Sequence, residues 1–265
     1  MPNFRTVEIS TPEFESANLR FITVKSKQLG RRGDICVFVP PGVTAGQSLP
    51  IAILLHGVYG SAWSWALSGR VHLTAMEMIS NKEIPPMIIA MPSDGLWGDG
   101  SGYVPHGGAD YEKWIVEDVV AVLKETITGA GENSRQFIGG LSMGGFGAMK
   151  LGAKYGNRFA GISAHSSITN LEQMKLFAEE DLANYAQADK TEEDVFETIK
   201  KNISYLPRLR FDCGKDDLLI EQNRLLHQQL ENENIQHIYE EFDGVHEWPY
   251  WIEHVRASLK FFGSL

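Results

Sequence analysis

The sequence predicts an α/β fold: a mostly parallel sheet with helices on both faces and an antiparallel edge made by its first strands. Three observations lead there. Short β-branched or apolar runs alternate with segments of helical period. Several of those runs are continuously apolar rather than alternating, as strands buried on both faces are. The chain has 265 residues, 43% of them hydrophobic and 22% charged, which suits one large domain with a substantial core.

In order, the strand candidates are LRFITV (19–24), ICVFV (35–39), IAILL (51–55), MIIAM (87–91), QFIGGL (136–141), GISAH (161–165), RLRFDC (208–213) and HIYEEF (237–242). The first of them are joined by short turns rich in Gly and Pro, which favours antiparallel pairing at that edge. Ile115, Val119, Val122 and Leu123 fall at helical spacing, and Trp251, Val255, Leu259 and Phe262 form a second stripe. Both stripes read as core-facing helix surfaces. Residues 167–206 are polar, acidic and helix-prone, without a clear strand. They read as a helical insertion at the rim of the site, within a single domain spanning 1–265.

The formal net charge of −10 argues against a nucleic-acid partner, because phosphate binding needs a basic face. Cys36 and Cys213 are too few and too far apart for a disulfide framework or a metal motif, so two reduced thiols are expected. No apolar run approaches a membrane span, and the first residues, MPNFRTVEISTPEF, lack an apolar signal core. A cytoplasmic protein is the resulting expectation. The oligomeric state, a homo-oligomer included, stays open.

The chemistry centres on Gly140-Leu141-Ser142-Met143-Gly144, which matches G-x-S-x-G between a strand and a helix. Glycines two residues either side of the serine let a strand reverse sharply into a helix and leave the hydroxyl exposed on a strained backbone. The helix amides that follow favour developing negative charge. A serine hydroxyl needs a base, and the base an orienting acid, in the chain order Ser, acid, His. Downstream, Asp216 and Asp217 follow RLRFDC, and His246 follows HIYEEF in a glycine-led turn. Spacing alone does not separate the two aspartates. The oxyanion donors expected are the backbone N–H of Met143 and, from the loop after IAILL, that of Val58, with Gly57 allowing its orientation. His56 in that loop reads as structural. His165 ends a strand and is a candidate for lining the pocket. Neither a metal nor a cofactor is called for.

The segments LLHGVYGSAWSW, GLSMGGFGAMKL, CGKDDLLIEQNRLLHQQL and GVHEWPYWIEHVRASLKFF together resemble the esterase D-like branch of the α/β-hydrolase superfamily. That branch holds tributyrin-type carboxylesterases, feruloyl and acetyl-xylan esterases, S-formylglutathione hydrolases and mycolyltransferases. The resemblance implies the α/β-hydrolase fold and a Ser142, His246, Asp217 triad, because the acid of the branch follows a G-x-x-D pattern; Asp216 is the fallback. It also implies that Trp97 and Tyr103 lie near an acyl pocket and that Trp248 packs the last helix against the site. The activity implied is hydrolysis of a short-chain acyl or carbohydrate-linked ester, a small-molecule substrate. A thioesterase of the S-formylglutathione type and an acyltransferase are the alternatives.

Overall fold

The structure, a computed structural model, describes residues 3–265; the first two residues of the expected domain lie outside the described residues. Nine strands form one sheet: β1 (Val7–Ile9), β2 (Leu19–Lys25), β3 (Arg32–Phe38), β4 (Ile51–Leu55), β5 (Ile88–Pro92), β6 (Gln136–Leu141), β7 (Gly161–His165), β8 (Arg208–Gly214) and β9 (Ile238–Phe242). Their order is β1-β2-β3-β5-β4-β6-β7-β8-β9. β1, β2 and β3 pair antiparallel, β3 pairs antiparallel with β5, and every later pairing is parallel. The antiparallel edge is thus joined to a parallel body, as the sequence predicts.

Seven helices lie between the strands and an eighth follows the last: α1 (Ser64–Leu67), α2 (Val71–Ser80), α3 (Tyr111–Lys113), α4 (Val120–Thr126), α5 (Met143–Lys154), α6 (Val195–Lys201), α7 (Ile220–Asn232) and α8 (Trp248–Gly263). A π-helical turn, Trp114–Val119, joins α3 to α4. The stripe at Ile115, Val119, Val122 and Leu123 is fully buried across that junction.

Successive residues of a strand point to opposite faces, and here both faces are dry. Ile51, Ile53 and Leu55 pack with Trp114, Val119, Phe146 and Met149 on one side. Ala52 and Leu54 pack on the other with Val71, Met78, Val255 and Leu259. The continuous apolar reading of these strands follows from that double burial.

After β4 the chain moves outward to β5 and then returns to place β6 on the other flank of β4. The loops leaving β4 and β6 therefore diverge, and a crevice opens at the carboxyl ends of these adjacent parallel strands. The candidate nucleophile and the candidate oxyanion loop both lie there.

Residues 167–206 form mostly short 3₁₀ turns and a single α-helix, α6. The side chains of Asn170, Asp181 and Asp189 each accept a hydrogen bond from the amide two residues on, and Asp194 from the amide three on. Each such cap restarts the backbone, which cuts a helix-prone stretch into pieces.

Candidate active site

The backbone at Ser142 has φ 54° and ψ −121°, a region that L-residues enter only under strain. β6 ends at Leu141 and α5 begins at Met143, so this single residue makes the reversal. The flanking glycines are sterically required. A Cβ at Gly140 would run into the Gly144 carbonyl, and one at Gly144 would lie 2.5 Å from His56 O and nearer still to Leu55 O. The Ser142 N–H donates to His165 O at 3.0 Å, which ties the turn to β7.

Three side chains converge at this point. Ser142 Oγ is 3.0 Å from His246 Nε2, and His246 Nδ1 is 2.9 Å and 3.1 Å from the two oxygens of Asp217. Asp217 is buried, while Asp216 faces solvent and contributes only its backbone N–H, which donates to Gly244 O at 3.1 Å. Burial pushes the Asp217 carboxyl up, but hydrogen bonds from His246 and from Leu219 N–H outweigh it and hold the group below its ordinary value. An ionised Asp217 bound at Nδ1 fixes the imidazole with its Nε2 lone pair toward the serine.

Val58 follows β4 and lines the crevice, and Met143 opens α5 directly after Ser142. Neither N–H has a backbone or side-chain acceptor among the described residues. Beside Val58, His56 is locked: Nδ1–H donates to Gly57 O at 2.7 Å and Nε2 accepts from Asp94 N at 3.0 Å. That pattern fixes a neutral tautomer and leaves no lone pair for proton transfer, in line with the structural reading of His56.

A cavity of about 360 Å³ opens onto Ser142 and His246. Its walls are largely aromatic and apolar: Val58, Tyr59, Trp63, Phe177, Trp248 and Trp251 take part, and no lysine or arginine does. His246 is held between the face of Phe177, with ring centroids 5.2 Å apart, and the edge of Trp251 at 5.1 Å. Phe177 lies in the acidic stretch, where nothing in the sequence pattern singles it out.

Trp248, expected against the site, lines the cavity, whereas Trp97, Tyr103 and His165, expected at the pocket, do not. Tyr103 is fully buried, with its hydroxyl donating to His56 O at 3.0 Å and its ring against Gly147. Trp97 packs on His106 and Tyr185, with centroids 4.4 Å and 5.7 Å away. Both brace the loop behind the crevice instead of facing it. His165 belongs to a second Ser-His-Asp array: Nε2 is 2.6 Å from Ser258 Oγ and Nδ1 2.9 Å from Asp212. Arg210 and the Tyr250 hydroxyl complete Asp212, and every member is buried between β7, β8 and α8. This array lacks a strained elbow and lines no part of the cavity, so its hydrogen bonds serve to satisfy buried polar groups.

Among the described residues no group of three or more His, Cys, Asp or Glu is arranged to hold a metal ion, and no helix is long and apolar enough to cross a membrane.

The protein family described as "Putative esterase" matches residues 26–262. An acetyl esterase of Caldicellulosiruptor saccharolyticus is 25% identical over 237 residues, covering 83% of this chain and 85% of that protein. A solved ferulic acid esterase superposes with a TM-score of 0.80 at 23% identity, over 99% of both chains. An S-formylglutathione hydrolase from Staphylococcus aureus does so with a TM-score of 0.78 at 19% identity, over 97% of this chain and 99% of that one. These structural likenesses establish the α/β-hydrolase fold. With a match that runs from just after the second strand into the last helix, the chain belongs to the "Putative esterase" family and is an esterase.

Proposed function

We propose that the chain is a serine carboxylesterase acting through Ser142, His246 and Asp217 and a covalent acyl-enzyme, on a short-chain acyl or carbohydrate-linked ester. The observation that carries this reading is the unbroken hydrogen-bond chain from Ser142 Oγ through His246 to Asp217 at the floor of the cavity. Ser142 Oγ attacks the ester carbonyl while its proton passes to His246 Nε2. Asp217 stabilises the imidazolium and holds its orientation. The Val58 and Met143 amides accept the charge that develops on the carbonyl oxygen. Collapse expels the alcohol, which takes the proton from His246, and water then releases the acid by the same steps in reverse roles.

Two features support a small neutral ester. The cavity sits at the low end of the range for small-molecule sites. Its walls offer no cation to the two carboxylates of glutathione, which favours an oxygen ester over S-formylglutathione. The acetyl and ferulic acid esterases among the similar proteins point the same way. Hydrolysis of p-nitrophenyl acetate, p-nitrophenyl octanoate and S-formylglutathione should be compared for the wild-type protein. The acetate is expected to be the best of the three, and Ser142→Ala to lose about 10⁶-fold in turnover. A kcat/KM for S-formylglutathione far above that for either ester would overturn the substrate assignment.

A further inference from the structure

Residues 177–180 of the acidic stretch touch both halves of the proposed machinery. The Phe177 ring lies against His246, and its carbonyl accepts a hydrogen bond from the Tyr59 hydroxyl. Glu179 N–H donates to Asp99 Oδ2 at 2.8 Å, and Asp99 N–H donates to Glu180 Oε1 at 2.9 Å. Asp99 O in turn accepts from Tyr59 N at 2.7 Å.

Tyr59 is the residue after the oxyanion donor Val58, and it sits in the left-handed region at φ 57°. A tyrosine holds that conformation at a cost of about 1 kcal/mol or more unless its surroundings enforce it. Here they do, from both ends of the residue: Asp99 O binds its N–H and Phe177 O binds its hydroxyl. The loop of Asp99 also packs on the side chains of both donor residues. A Cβ on Gly100 would lie 2.5 Å from Met143 Sδ and 3.4 Å from Val58 Cγ1, and Gly100 O is held by the Tyr185 hydroxyl at 2.8 Å. The Glu180 carboxylate fills the notch that the missing side chain of Gly98 leaves, and its Oε2 is buried with no hydrogen-bond partner among the described residues.

We infer that Glu180 is a positioning residue for the oxyanion hole: through Asp99 and Tyr59 it fixes the orientation of the Val58 amide. The inference rests on the serine-esterase reading above. Its physical basis is preorganisation, since an amide helps only when it already points at the oxygen where charge develops. The acidic stretch thereby governs turnover, not only access to the cavity.

Glu180→Ala removes the acceptor for Asp99 N–H. Glu180→Gln keeps an acceptor oxygen in the same place, and its second atom replaces an oxygen that binds nothing. For a short p-nitrophenyl ester, Glu180→Ala is expected to lower kcat about tenfold, a fraction of the 10²–10³ lost with a whole donor, with KM within about twofold. Inhibition by a trifluoromethyl ketone, whose hemiketal oxygen occupies the oxyanion position, should weaken by the same factor. Glu180→Gln should restore both. An unchanged kcat in Glu180→Ala, a change confined to KM, or a loss that Glu180→Gln does not restore would overturn the inference while wild-type hydrolysis left the esterase reading standing. A wild-type protein that neither hydrolyses the ester nor binds the ketone would remove both.

Discussion

Replacing Gly144 by alanine would place a methyl group between the nucleophile helix and the end of β4. The new Cβ would lie 2.5 Å from His56 O, whereas real Cβ atoms essentially never come within 3.0 Å of such a neighbour. Neither carbonyl in its way is free to yield. Leu55 O accepts from Trp65 Nε1 at 2.9 Å, and His56 O accepts from the Tyr103 hydroxyl at 3.0 Å. α5 must therefore back away from β4 by at least the 0.5 Å between those two distances. Overpacking against backbone costs about 3 kcal/mol, and the gain in helix propensity from glycine to alanine returns up to about 1 kcal/mol. A net loss of about 2 kcal/mol is expected. The same displacement moves Ser142 relative to the Val58 amide, for which about a hundredfold loss in kcat/KM is expected. Urea unfolding with kcat/KM measured on the folded protein reads both effects. Gly131→Ala is the control: its Cβ meets only the mobile end of Ser48, Oγ at 2.9 Å, and should change stability by less than about 0.5 kcal/mol. A Gly144→Ala protein as stable and as active as wild type would refute the steric account of the elbow.

Two further outcomes follow from the geometry. Asp217→Asn should lower kcat by about 10⁴-fold, because the amide binds the wrong imidazole tautomer, whereas Asp216→Asn should stay within a few-fold of wild type; comparable losses in both would contradict the assignment of the acid. Acid stability gives the second. Burial alone would raise Asp212, yet His165, Arg210 and the Tyr250 hydroxyl hold it down at about 2, below its ordinary value of 3.8. The carboxylate therefore contributes about 2 kcal/mol that is fully present above about pH 4 and is lost as the pH falls through about 2. The urea midpoint should fall across that window, and an equally steep fall in Asp212→Asn would count against it.

Much of this architecture was legible because its strands are dry on both faces. IAILL, QFIGGL and GISAH begin and end where β4, β6 and β7 do. Where a strand extends into polar residues the reading slips: β3 starts three residues early, at Arg32, because Arg32, Gly33 and Asp34 pair with β2 without an apolar run to mark them. β1 went unseen, being three residues whose central Glu8 faces solvent. Ser142, the aspartate pair and His246 could be found because each follows a strand and the glycines around the serine have a steric cause. Separating Asp217 from Asp216 needed family resemblance, since only the fold shows which carboxylate is buried. Trp97 and Tyr103, placed by resemblance, and His165, placed by its position at a strand end, miss the cavity because neither ground says which way a side chain points. The contacts of Phe177 and Glu180 with residues 59, 99 and 246 join segments more than 65 residues apart, and no local pattern encodes them.

The central claim is that Ser142 is the nucleophile. A fluorophosphonate carrying a reporter, followed by proteolysis and mass mapping, tests it most directly. The account predicts one adduct, on the serine of the peptide containing FIGGLSMGGFGAMK. It also predicts no labelling of Ser142→Ala and slow labelling of His246→Ala, with none on Ser258 despite its own His-Asp partners. A wild-type protein that stays unlabelled at Ser142, or that carries the adduct on another serine, would contradict it.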